Sequence, residues 1–319
     1  YMSSWPWHWA KPMAHLMENG SISTYGLLAV YLIIIIFSLL NYWSVKLLTS
    51  FTSLISVFKL GVPTLTIIML MLSGFDTSNY GHSASTFMPY GSAPIFAATT
   101  ASGIIFSFNS FQTIINMGSE IKNPEKNIAR GIAISLSLSA VLYIILQSTF
   151  ITSMPQSMLQ HSGWSGINFN SPFADLAILL GINWLAILLY IEAVVSPFGT
   201  GVSFVAVTGR VLRAMEKNGH IPKFLGKMNE KYHIPRVAII FNAIISMVMV
   251  TLFRDWGTLA AVISTATLVA YLTGPTTVIA LRKMGPTMTR PFRAKILKVM
   301  APLSFVLASL AIYLSLIHI

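Results

Sequence analysis

The sequence has 319 residues, of which 55% are hydrophobic and 9% charged, with a mean hydropathy of +0.72; an ordinary soluble domain is about 25% charged. Several apolar stretches of 18 or more residues, each able to cross about 30 Å of hydrocarbon, exclude a soluble globular domain and point to an all-α polytopic membrane protein. The chain has no cysteine, which excludes disulfides, thiolate metal sites and cysteine nucleophiles.

Residues 1–23 form a Trp-rich, mostly uncharged stretch (Trp5, Trp7, Trp9) suited to a membrane interface on the outer side. Eight predicted spans follow, at roughly 24–43, 51–73, 94–118, 131–153, 176–209, 237–253, 257–281 and 298–317. The net charge of +11 is placed as a membrane topology would place it. All Lys and Arg residues except Lys11, Lys59 and Arg254 fall in the loops after the first, third, fifth and seventh spans. Positive loops stay cytoplasmic, so the chain enters its first span from outside, with cytoplasmic loops near 119–130, 210–236 and 282–297. The basic loop 210–236 reads as a topology determinant rather than a lipid or nucleic-acid site, since Pro222, Pro235, Glu216 and Glu230 interrupt it. The opening Tyr1 and the closing apolar run LSLIHI read as a piece of a longer protein.

The third span is the unusual one. In SAPIFAATTASGIIFSFNSFQTIINMGSEIKNPEKNIARG the apolar run is interrupted by Ser107, Phe108, Asn109 and Ser110, resumes through Ile114, and ends at Glu120, Lys122, Asn123 and Pro124. Unpaired polar groups at mid-depth cost several kcal/mol each, on the order of 2–7, unless protein or a cavity satisfies them. Broken membrane helices of this kind build the solute sites of secondary transporters. Asn109 and Gln112 both donate and accept hydrogen bonds, which suits a zwitterion, and an unwound stretch offers free backbone N–H groups to a carboxylate.

Two charges lie inside spans. Lys59 sits about a third of the way along its span, where a lysine out of water can take up and release a proton; the bland alternative is snorkelling to the interface. Glu192 precedes Ser196, Pro197, Gly199, Thr200 and Gly201, a small-residue stretch that loosens the helix and admits another backbone. It is either functional or a structural hydrogen-bond partner. The histidines show no metal spacing, and no Walker A loop, HExxH pair or GxSxG elbow occurs, so no metal, cofactor or enzymatic activity is expected.

These motifs carry a resemblance. FSFNSFQTIINMGSEIKNPEKNIARGI resembles the sixth-helix signature of the amino acid–polyamine–organocation superfamily, and SPFGTGVSFVAVTGRVLRAMEKNGHIP resembles its eighth helix and following loop. TRPFRAKILKVMAPLSF resembles the linker from its tenth to its eleventh helix; the FNSFQ and SPFGTG variants look most like the branch of aspartate–proton symporter-like permeases. The resemblance implies a partial five-plus-five inverted-repeat (LeuT-type) fold. Residues 24–319 would be the transporter domain, holding helices 4 to 11 of twelve, with the first helices missing. It places Phe106 at an aromatic gate, Ser107, Asn109, Gln112 and Phe204 at the substrate, and Thr200 near an ion position that Lys59 fills in proton-coupled members. It implies proton-coupled amino acid symport by alternating access in the cytoplasmic membrane, with amino acid, protons and bilayer as partners and no nucleic acid. An antiporter and a non-transporting amino acid sensor are the alternatives, and the oligomeric state is left open.

Overall fold

A computed structural model of the chain describes residues 8–18, 20–43, 45–100, 104–118, 121–230, 232, 234–290 and 296–317. Trp5, Trp7, Glu120, Lys231, Arg293 and Lys295 lie outside the described residues, as does the Phe106 side chain. The described residues are helical almost throughout. A 3-10 helix, His8–Leu16, and an antiparallel ribbon pairing Met17–Glu18 with Ser21–Ile22 lead into α1, Thr24–Trp43. Ser23 caps α1: its Oγ accepts the Gly26 N–H at 3.0 Å and donates to the His15 carbonyl at 2.6 Å.

Then come α2, Val45–Ser73, and three short helices, α3 (Ala84–Phe87), α4 (Ala93–Thr100) and α5 (Ile104–Ser107). Next are α6, Thr113–Asn116, and the long α7, Pro124–Thr152. The chain continues through α8 (Gln156–Ser162), α9 (Pro172–Leu179), α10 (Asn183–Lys217), α11 (Arg236–Leu252), α12 (Trp256–Met284) and α13 (Leu297–Ile317). Five of the described helices are long and apolar enough to cross a bilayer, and α11 and α13 add shorter apolar ones. Apolar side chains repeat along exposed stripes, Ile134, Leu138, Val141 and Ile145 on α7 and Val299, Leu303, Val306 and Leu310 on α13. In water such stripes would be a liability; against acyl chains they cost nothing. The chain is a multi-pass, all-α membrane protein.

Two compact units form. One comprises residues 1–87 and 140–254, the other residues 88–139 and 255–319. In the first, Leu70 of α2, Met154, Leu176 of α9, and Leu185 and Tyr190 of α10 make a buried apolar cluster. A polar tie closes the same end. Asn79 donates to the carbonyls of Ile151 and Met154 at 2.9 Å, and Gln156 donates to Asp76, Ser78 and Asn79. In the second unit α13 packs along α12 and against α4.

Several expected boundaries shift, α2 and α7 beginning earlier, at Val45 and Pro124, than the expected 51 and 131. The fifth span, expected at 176–209, is two helices, because Gly181 takes a left-handed conformation (φ +76°) between α9 and α10. Ile182 N–H bonds the Ala177 carbonyl at 2.8 Å and Gly181 N–H bonds Ile178 at 2.9 Å, a Schellman ending. Arg210, Arg213 and Lys217 then extend α10 rather than opening a loop, as Arg282 and Lys283 extend α12. Cations in a last turn are favoured by the helix dipole.

Candidate functional site

The break in the third span is physical. Helix stops after Ser107 in α5 and restarts at Thr113 in α6. Ser110, at φ +86°, takes a backbone conformation uncommon for a non-glycine residue. Its carbonyl accepts both the Thr113 N–H at 2.9 Å and the Thr113 hydroxyl at 2.6 Å, which restarts the chain as α6. The KNP motif has an equally local cause. Asn123 adopts a left-handed φ of +47°, which Asn tolerates, and its carbonyl accepts the N–H groups of Lys126 and Asn127. Pro124 then occupies the first position of α7, where its missing N–H is no loss.

Within this unit the break opens on a cavity of about 340 Å³. Ser107, Asn109, Ser110 and Thr113 line one wall, and Gly131, Ser135 and Ser139 of α7 line the other. At Gly131 a Cβ would lie 2.6 Å from Ile114 Cδ1, so the glycine lets α7 come close without displacing the end of that side chain. From α12, the Tyr271 hydroxyl donates to Gln112 Oε1 at 2.9 Å and also lies 3.4 Å from Asn109 Oδ1. Its ring rests 5.1 Å from that of Phe111. Tyr271 thus fixes the carbonyl oxygen of Gln112 beside that of Asn109 and leaves the N–H₂ groups of both for other acceptors. Phe106 contributes its backbone to α5.

The second constellation lies in the other unit. Lys59 Nζ of α2 donates to Thr200 Oγ1 of α10, and Thr200 Oγ1 donates to the Ser196 carbonyl at 3.0 Å. Glu192, Ser196 and Thr200 recur every four residues and share one face of α10. Glycine sets this approach too. A Cβ at Gly199 would lie 2.6 Å from Ile55 Cδ1, and Ile55 is one turn before Lys59. Phe37 of α1 fills the place of a side chain at Gly201. Phe204 is also on α10, 41% exposed.

The sequence reading missed Tyr271, Ser135 and Ser139. The signals were present: a tyrosine inside a span just before Gly274-Pro275, and two serines one helical turn apart in ISLSLSA.

Residues 11–318 match the profile of the family described as amino acid permease. The chain belongs to the amino acid permease family. It is 48% identical over 313 residues to the glutamate/serine transporter AimA of Bacillus subtilis (strain 168), covering 98% of this chain and 58% of that one. It is 34% identical over 306 residues to the aspartate-proton symporter of the same organism, covering 95% and 58%. The methylthioribose transporter of that organism is 25% identical over 295 residues, covering 92% and 60%. This permease chain therefore spans about three-fifths of the length of the curated relatives it matches.

Proposed function

We propose that the whole protein is a secondary active transporter that carries amino acids across the cell membrane by alternating access, coupled to protons. The observation that carries the reading is the unwound turn at 108–112, whose polar groups open on a cavity instead of meeting lipid. Asn109 and Gln112 keep amide N–H₂ groups for a carboxylate, and the serine and threonine hydroxyls of both walls can take either partner of a zwitterion. Such a set suits small polar or acidic amino acids, in keeping with the glutamate, serine and aspartate in the names of two relatives. Phe106, Ser107 and Phe204 complete the proposed substrate contacts.

For coupling, Lys59 is the proton carrier. Protonated, it holds Thr200; deprotonated, it loses the charge that strengthens that contact, and the tie between α2 and α10 weakens. Glu192, on the same face, supplies a countercharge. The chemistry calls for no cofactor, and the role is transport, not catalysis.

The test is uptake of labelled glutamate, serine and aspartate by the full-length protein in sealed liposomes, with and without an inward proton gradient. Gradient-driven accumulation is the expected outcome. Uptake only into preloaded vesicles would establish an exchanger instead, and binding without flux would establish a sensor.

A further inference from the structure

Near the basic end of α10 lie two guanidinium groups with nitrogens that no hydrogen bond reaches among the described residues. From Asn183 to Gly209 the only charge on α10 is Glu192. That is about 40 Å of helix, the thickness of a bilayer with its interfacial layers. The cations after it therefore stand at headgroup depth. Arg210 turns back to the Ala206 carbonyl at 3.0 Å. Arg213, one turn further, does not: its Nη1 is buried and has no hydrogen-bond partner. The next acidic residue on the helix, Glu216, packs its stem and a carboxylate oxygen against Gly226 and forms no ion pair with Arg213.

The second guanidinium is that of Arg236, the first residue of α11. The two helices meet where Gly209 faces Pro235 and Ile239, so Arg213, one turn beyond Gly209, and Arg236, the residue after Pro235, stand at the same end of the pair. The Arg236 guanidinium carbon sits over two rings, 4.1 Å from the centre of Tyr42 and 4.6 Å from that of Tyr232. Its Nε donates to the Tyr42 carbonyl at 3.3 Å. Among the described residues no hydrogen bond or ion pair reaches its terminal nitrogens. The fork is thus oriented by stacking and one bond, with its donors left over.

We propose that Arg213 and Arg236 together bind the phosphate of an anionic phospholipid headgroup at this end of the α10–α11 pair. Paired guanidiniums match phosphate oxygens in planar, charge-assisted geometry. Their depth, and the tyrosines beside them, fit a ligand whose phosphate sits at the interface and whose tails lie along the apolar helices. Cations that read in the sequence as topology signals acquire a second use.

The experiment is native mass spectrometry of the full-length protein equilibrated with phosphatidylglycerol or with zwitterionic phosphatidylethanolamine. Retention of phosphatidylglycerol about tenfold above phosphatidylethanolamine is expected, and R213Q should cut it at least fivefold without changing phosphatidylethanolamine. Equal retention of the two lipids overturns the proposal, as does an unchanged R213Q. Displacement of the bound lipid by soluble glycerol phosphate at equal concentration would overturn it in favour of a free-phosphate site. The headgroup comparison needs no variant, so the proposal stays refutable even where R213Q fails to fold.

Discussion

Lys59 and Tyr271 act at the scale of single side chains, each on one specific partner. For Lys59 the partner is Thr200, and the proposed role is to make that contact depend on a proton. Lys59→Ala removes the titrating group while leaving the unwound turn at 108–112 untouched. Proton-driven accumulation should disappear and uptake should become insensitive to pH, while exchange between preloaded vesicles persists. Retained pH dependence in that variant would remove Lys59 from the coupling. Tyr271 is tested by its hydroxyl alone. Tyr271→Phe keeps the ring against Phe111 and frees Gln112 Oε1. A neutral hydrogen bond is worth about 1 kcal/mol, roughly fivefold in affinity. The expected result is a change of about that size in KM, with little change in the amount of folded protein. An equal loss of folded protein would make Tyr271 a packing residue. Lysine in an apolar run is visible in a sequence because its burial is anomalous. Tyrosine is not, since membrane spans accept it freely and only its position opposite Gln112 gives it a task.

At the scale of elements, glycine and proline decide where helices approach and where they loosen. Pro63, Pro197 and Pro275 lie inside α2, α10 and α12, and each removes the hydrogen bond to the residue four places earlier. Those residues are Lys59, Ala193 beside Glu192, and Tyr271. The loosened turns and the proposed functional residues coincide. Gly199 sets the α2–α10 distance. Gly199→Ala places a methyl against Ile55, a buried residue, and overpacking of this kind costs about 1–3 kcal/mol. Thermal unfolding should move down accordingly, and the loss in the double variant with Ile55→Ala should fall short of the sum of the two single losses. Additive losses would mean that the two do not touch. The break at 108–112 was legible because polar residues interrupt the run, whereas that at Gly181 was not. There both flanks are apolar, and hydropathy is blind to a backbone that turns without changing polarity. The polar tie at Asp76 is an element-scale device too. Hydrogen bonds from Ser78, then from Gln156, hold this exposed carboxyl below its ordinary value of 3.8. A depressed carboxyl contributes stability that is present above its unfolded pKa and lost as pH falls through the folded one. Asp76→Asn should therefore unfold at a lower temperature than the parent near neutral pH, with the gap closing below pH 3.8. A gap that persists in strong acid would place the effect elsewhere.

At the scale of the whole molecule, the question is which side each loop faces. Helices show where the chain is apolar but carry no sign, and the side chains of a spanning helix do not distinguish inside from outside. The sign comes from charge. Basic residues gather after alternate spans, and α7 begins, and α10 and α12 end, in that charge. The family and its broken helix were legible because both rest on short local patterns, the KNP turn and the polar interruption. The cavity wall on α7 was not, because Ser135 and Ser139 gain meaning only when Gly131 lets α7 approach Ile114. The orientation is directly measurable, since this stretch has no cysteine. Single cysteines in place of Glu125 and Met288 are expected on the basic side, and one in place of His161 on the other. On an otherwise cysteine-free full-length background, an impermeant thiol reagent added to intact cells should label H161C alone, and E125C and M288C only after the cells are opened. The reverse pattern would turn the chain over, moving Arg213 and Arg236 to the outer leaflet. Labelling of E125C and M288C from opposite sides would show that an odd number of crossings separates them, and the eight-span order would fail between α7 and α12.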